Sequence, residues 1–508
     1  MERQPNYRLA TKKPDHIMVS ISGDAKTSMT ITWRASAEVT EGYVEFSEKG
    51  GEKKRVQAIT NEFKSDVSVS RLFWAKLEGL KPGTRYYYTC GSAEERSEEY
   101  YFDTEEENLT KFKFIAISDH QKDNDHYNPD YSAFNKFLKN VLKKHPDVKF
   151  ILTAGDNTNC GQHEIQWNAM YEGMEGVMEH LPYMMCCGNH DNRGFKQYFP
   201  TEQGRYYAEP AEFFNAELAY SYPLNGPEGW RPENYSFDYG NAHFPIYYSG
   251  SNLANDDAYP MMREGMEKLD VLFSGHEHNF SRSYPIRNEE LFDRPSQGTV
   301  HYELGNGHMN PPGTKTCDKI WHCSYYPQEE FNCMYALIEI DGDKATFISE
   351  LDDGRVVDEC CIDKAKDEIR PYRVAPVFGP GRTRTMFKGV DLGLCAASLP
   401  PVCIDGVWYA AFATLIGFIG GEVARKPGRV ELSVYGRSAA FNEGSSKAET
   451  PNGEVEMGNK VFRGNEGQLY VPLDAACKIF GMKWAYAARN NFITIEHVSE
   501  AHPVPVQP

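Results

Sequence analysis

The sequence predicts a multidomain protein: an all-β sandwich, then an α/β domain, then a small α+β repeat module. Three observations carry this. Met29 to Trp33 alternates apolar and polar residues, as a half-buried strand does. From Lys111 onward, apolar strands end in polar clusters and alternate with amphipathic stretches, the pattern of an α/β sheet. From Trp408 a pattern recurs with an offset of 61 residues. These shifts place the domains at 1–107, 108–372 and 373–508.

The bulk numbers agree. At roughly 100–200 residues per domain, 508 residues suggest about three domains. Hydrophobic residues make up 40% and charged residues 25%, which suits globular rather than disordered chains. A net charge of −19 repels nucleic acid and anionic lipid, so neither is an expected partner. Bound cations could still reverse that sign locally and admit an anionic substrate. Twelve cysteines are too few for a disulfide scaffold of this length, and Cys317, Cys323 and Cys333 are the candidates for one local bridge. The most apolar stretch, Val407 to Gly421, is too short to span a bilayer, so no membrane insertion is expected. The N-terminus, Met-Glu-Arg-Gln-Pro, does not read as a leader: the protein is cytoplasmic or a leader precedes this sequence.

In the first domain, strands are expected at Met29–Trp33, near Gly42–Ser47, at Val67–Leu77 and at Arg85–Cys90. The string Leu80-Lys81-Pro82-Gly83-Thr84-Arg85-Tyr86-Tyr87-Tyr88 resembles fibronectin type III modules. Glu105-Glu106-Glu107 reads as a solvated hinge.

In the second domain, the strand Phe112–Ile117 ends in Ser118-Asp119. An amphipathic helix, Tyr131 to Lys144, follows. The strand Val148–Thr153 then ends at Gly155-Asp156. A second helix, near Ile165–Glu179, leads to Tyr183–Cys187 and Gly188-Asn189-His190-Asp191. Further on stands Gly275-His276-Glu277-His278. Each cluster alone is weak, since a Gly-Asp after a strand is usually a turn. Four in series, each closing an apolar strand, point to a site built on strand ends. The residue types suit phosphate-ester hydrolysis. That reaction needs hydroxide at an anionic centre and relief of charge on the departing oxygen, and two metal ions about 4 Å apart do both. Carboxylates, imidazoles and an amide oxygen form a hard-to-borderline set suited to Fe, Zn or Mn.

In the third region, Trp408–Val434 aligns without gaps onto Leu469–Ile495, with Gly420 on Gly481. Each unit reads strand, helix, glycine, hairpin. It resembles the small module at the N-terminus of some copper amine oxidases, which also occurs on exported bacterial proteins, and implies a spacer or a cell-wall or surface contact.

The order of the four clusters resembles the calcineurin-like metallophosphoesterase superfamily, whose fold is a four-layer αββα sandwich. With the sandwich in front, it is most similar to the purple acid phosphatase branch, over about residues 13–360. Gln166-Trp167-Asn168, Gly240-Asn241-Ala242-His243-Phe244 and Arg282 support the resemblance. It implies a phosphomonoesterase acting on a small phosphorylated substrate through a dinuclear centre and a metal-bound hydroxide. Asp156 would bridge both metals, Asp119 and His278 would hold the first, and Asn189 and His276 the second. His190 would contact the phosphate or protonate the leaving group, with Asp191 orienting it by hydrogen bond. It also implies an extracellular or cell-wall location.

Two departures stand out. Where purple enzymes place a ligating Tyr, this chain has Asn159; where other relatives place a His, it has Gln121. Gln121 or His120 would have to fill in, and no purple colour is expected. A further ligand His belongs between Asn189 and His276, and within 192–275 His243 is the single histidine. Its preceding residues resemble a strand without a ligand, whereas His243-Phe244-Pro245-Ile246-Tyr247-Tyr248 resembles the ligand segment. Two other readings stay open: a phosphodiesterase or nucleotide pyrophosphatase, and a wall-associated binding protein with a degenerate phosphatase core.

Overall fold

The computed structural model describes residues 6–122, 129–195, 205–208, 210–248, 268–288, 290–308, 322–326, 328, 332–373, 384–387, 390–391, 401–464, 467–487 and 492–497. Two compact units emerge, one built mainly from residues 1–314 and 326–375, the other from 376–508. The sandwich and the α/β domain share a continuous apolar core.

The sandwich forms as alternation predicts. One sheet runs Asp15–Ser20, Ser28–Ser36, Val69–Glu78, Ile59–Lys64; the other runs Lys54–Gln57, Tyr43–Glu48, Arg85–Gly91, Tyr100–Asp103. Trp33 stacks on Phe73 between the layers at 5.1 Å. Glu105 corrects the hinge reading. It is buried, and its carboxylate accepts the Gly240 amide at 3.0 Å.

The α/β domain is organised by a seven-stranded sheet. Its order is Tyr183–Met185, Val148–Thr153, Lys111–Ile117, Met334–Asp341, Lys344–Leu351, Val356–Asp363, Glu368–Arg373. The first three strands are parallel, so their carboxyl ends lie side by side. A smaller sheet contains Val271–Ser274, Val300–Leu304 and Phe280–Ser283. Aromatic rings fill the space between sheets: Phe114 stacks on Phe150 at 4.9 Å, with Phe244 edge-on at 5.2 Å and Phe347 stacking on Tyr302 at 4.9 Å. Helix Ser132–Lys144 buries Phe134, Phe137, Leu138 and Val141, the stripe its sequence spacing predicts. Helix Glu164–Gly173 ends earlier than expected, giving way to turns. The third described α-helix of this unit, Glu212–Glu217, packs Phe213 on Phe63 and Phe214 on Trp167.

The second unit realises the repeat. Strand Val407–Ala410, helix Phe412–Phe418 and hairpin strands Glu422–Lys426 and Arg429–Val434 match Leu469–Pro472, Leu473–Phe480, Met482–Ala487 and Phe492–His497. The equivalent first strands pair antiparallel, and Phe412 stacks on Phe480 at 5.6 Å. Each helix packs on its own hairpin and on the first strand of the other copy, burial that neither copy could achieve alone.

Candidate metal centre and active site

All four polar clusters close strands of the two sheets, and the chain makes room for them by tight backbone approach. A Cβ on Gly188 would lie 2.2 Å from Asp156 Oδ1, and one on Gly275 would lie 1.8 Å from Ser118 Oγ. Glycine alone fits there. Asp119, Asp156, His276 and His278 all carry positive φ, from 51° to 90°, a conformation that costs a non-glycine residue about 1–3 kcal/mol and clusters at functional sites.

These residues meet pairwise. The His276 amide donates to both Asp119 oxygens at 2.9 Å, and His278 Nε2 lies 3.5 Å from Asp119 Oδ1. His276 Nδ1 donates to Asn189 Oδ1 at 2.8 Å. Gln121 Nε2 donates to His278 Nε2 at 3.3 Å. The His190 amide donates to Asp156 Oδ1 at 2.9 Å, and His190 Nε2 stands 3.9 Å from Asp156 Oδ2. So Asp119, Gln121, Asn189, His276 and His278 form one connected group, and the Gln121 backbone amide, donating to Asp156 O at 3.1 Å, joins it to the Asp156–His190 pair. Among the described residues no three His, Cys, Asp or Glu side chains are drawn close enough to hold a metal ion.

The donor set nevertheless fits cations. Asp119, Asp156 and Asp191 are all buried together. Burial, then the charges of Asp119 and Asp191, push the Asp156 carboxyl well above the usual range. Asp156 Oδ2 is buried with no hydrogen-bond partner. A bound cation would answer both facts. Glu303, half-buried near Asp119, is pushed up to about 8 by desolvation and by the Asp119 charge.

Two expected roles need correction. Asp191 does not orient the His190 ring. Its carboxylate accepts from Asn157 N and Nδ2, Thr158 N and Oγ1, and Gly188 N, at 2.8–3.2 Å, and so ties the second and third clusters together. His190 Nδ1 instead donates to Asn159, to its carbonyl at 3.1 Å and its Oδ1 at 2.9 Å. Arg193 donates to the same two oxygens at 2.8 and 2.6 Å. Asn159 is the residue sequence reasoning passed over, noted there as a missing Tyr and not as a partner. Burial, then Arg193 and His278, hold the His190 ring well below its usual pKa, so it is neutral with its hydrogen on Nδ1.

His243 stands apart from these contacts. It is exposed on the hairpin Tyr235–Tyr239/Ala242–Ile246, opposite Asp238 in register, and its Nδ1 lies 2.6 Å from Asp238. Phe244 takes the inward position between Phe114 and Phe237, which leaves His243 exposed on the opposite face of the strand, at the edge of the cavity that Asp156, Asn189 and His276 also line. His120 is no substitute ligand either: it is buried against Phe134, its Nε2 is 3.2 Å from Tyr183 Oη, and burial lowers it to about 3. Arg282 forms a buried two-pronged ion pair with Asp358 at 2.8 and 2.9 Å, a structural role. Cys317 lies outside the described residues. A cavity of about 1360 Å³ opens on Asp156, Asn189 and His276, with Phe114, Leu152 and Ile338 in its lining.

Comparison with known proteins agrees with this architecture. Residues 14–104 match the family described as purple acid phosphatase, N-terminal domain, and residues 112–280 match calcineurin-like phosphoesterase. Purple acid phosphatase 21 of Arabidopsis thaliana is 24% identical over 332 residues, covering 58% of this chain and 71% of that protein. Probable inactive purple acid phosphatase 1 of the same plant is 24% identical over 428 residues, covering 67% and 68%. A purple acid phosphatase from yellow lupin seeds superposes with a TM-score of 0.56 at 16% identity, covering 69% of this chain and 74% of that one.

Proposed function

We propose that this metal-dependent hydrolase of phosphate esters, which matches the purple acid phosphatase N-terminal domain over 14–104 and calcineurin-like phosphoesterase over 112–280, is a phosphomonoesterase with a dinuclear centre. The observation that supports this most is the meeting of Asp119, Asn189, His276 and His278 beside a buried, unpartnered Asp156 oxygen. In this reading Asp156, Asp119 and His278 would hold one ion, and Asp156, Asn189 and His276 would hold the other. Gln121 supports His278. The ions, Fe, Zn or Mn by donor type, supply Lewis acidity and an acidified water when bound. His190 keeps Nε2 toward Asp156, where the bare nitrogen of the neutral ring can accept a hydrogen bond from a protonated phosphate oxygen; it can pass a proton to the leaving oxygen only after taking one up there. His243 has no part in this set.

The adjoining cavity leaves room for the small ester's leaving group. The repeat module is read as a spacer or wall contact and the protein as extracellular, which fractionation of the native cells would test. Phosphate release from p-nitrophenyl phosphate, compared with bis-p-nitrophenyl phosphate, tests the reaction class. Faster turnover of the monoester supports the reading; faster turnover of the diester would make the chain a phosphodiesterase. No turnover with Mn, Zn or Fe would favour a binding protein, a second reading motivated by the outward His243 and by the absence of any three-residue metal group among the described residues.

A further inference from the structure

The loop 157–163 carries Asn159, the residue that holds His190. One side of this loop lies against the His190 loop. Gly161 N donates to His190 O at 2.9 Å, and Gln162 N donates to Arg193 O at 3.0 Å. There is no slack: a Cβ on Gly161 would lie 1.8 Å from Asp191 O. The other end runs into helix Glu164–Gly173 and is gripped by the N-terminal sandwich. Asp66 makes the grip. Its Oδ2 accepts from His163 Nδ1 at 2.9 Å, and its Oδ1 accepts the Glu164 amide at 3.0 Å. That amide is an unsatisfied donor of the helix's first turn, so Asp66 caps from another domain a helix whose own cap residue supplies no side-chain bond.

The same corner is locked by Glu164. This buried carboxylate receives Arg34 at 2.6 Å, Ser68 Oγ at 2.8 Å and the Ser65 hydroxyl. Arg34 is itself fixed by a two-pronged pair with Asp15 at 2.8 and 2.7 Å, and it also bonds Asn168. Inside the loop, Gln166 Oε1 accepts the Asn159 amide at 3.3 Å, and Trp167 Nε1 donates to Gly161 O at 2.8 Å. From Asp66 to the His190 ring the path is a run of direct contacts.

We infer that Asp66 of the sandwich is a positioning residue for His190, acting through loop 157–163 and Asn159. This rests on the reading of His190 as a working group of the site. A ring that hydrogen-bonds the reacting group must stand within about a few tenths of an ångström of its target, and small misplacements cost rate more than binding. The sandwich then serves the reaction without touching substrate.

The test compares full-length, metal-loaded variants with p-nitrophenyl phosphate, alongside metal content and thermal midpoint. Asp66→Ala is expected to lower kcat about tenfold with KM changed less than about twofold and metal content unchanged. Asp66→Asn keeps an oxygen for the Glu164 amide and is expected to recover most of that loss. Tyr88→Phe removes a bond to the Glu179 carbonyl elsewhere on the same interface (2.8 Å) and is expected to leave kcat unchanged. Should Asp66→Ala fail to fold, Ser68→Ala carries the test, with a loss of about threefold expected. His190→Ala is the reference. If it abolishes turnover while Asp66→Ala and Ser68→Ala keep full kcat, the inference is overturned; equal losses in Asp66→Ala and Tyr88→Phe would overturn it too. If His190→Ala keeps full kcat, the reading of His190 fails first.

Discussion

The sandwich and the repeat module are both small β-rich additions to a phosphoesterase domain, but they are held together differently. The repeat module closes an apolar core around Phe412 and Phe480 from its two copies and Phe441 from the segment between them. The sandwich has no separate core. It merges with the phosphoesterase domain and meets it through buried polar groups: Arg34 with Asp15 and Glu164, Asp66 with His163, His16 with Glu217. An apolar core gives stability with little directional demand, whereas buried charges are tolerated only in a fixed geometry and so fix the parts they join. The sandwich is therefore wired to the site, and the repeat module is built to stand as a unit of its own.

The contrast can be broken at several points. His190→Ala should lower kcat by about 10²–10⁴-fold, read in steady-state kinetics at constant metal content. Arg34→Ala, which leaves Asp15 and Glu164 without their cation, should cost about 3–5 kcal/mol in urea unfolding. A comparable loss at Arg429, whose partners Glu431 and Glu449 are solvent-exposed or nearly so, is not expected; Arg429→Ala should leave the urea midpoint nearly unchanged.

The His16–Glu217 pair gives the junction a pH signature. Burial pushes Glu217 up to about 7, so its contribution to stability is complete below about 4.5 and fades as pH rises to 7. Burial and Arg34 lower His16 to about 3, so its contribution is present above about 6.5 and lost as pH falls toward 3. Between 4.5 and 6.5 the two slopes oppose each other, and the junction is nearly flat with pH. Glu217→Gln removes one slope. Unfolding midpoints of that variant should fall on acidification below 6.5, by up to about 1.4 kcal/mol per pH unit, more steeply than in the parent. The smallest effect is expected at His243: His243→Ala should change kcat less than about twofold, because its bond goes to Asp238.

Much of this was legible in the sequence, because it is local. Four apolar strands ending in polar clusters mark the site, and the 61-residue offset gives the repeat strand for strand. What was not legible depends on partners far along the chain. Asp66 and Glu164 are 98 residues apart, and nothing near Asp66 marks it as a helix cap. Glu105 reads as a solvated acid until Gly240 covers it. His243 shows a different failure: its neighbours mimic a ligand segment, but strand alternation, with Phe244 inward, already turned it out.

Metal content of the purified protein, measured together with phosphate release from p-nitrophenyl phosphate, tests the central claim most directly. The account predicts close to two metal ions per chain with turnover, and both reduced in Asp156→Ala. One ion or none, with no turnover after loading with Mn, Zn or Fe, would contradict it.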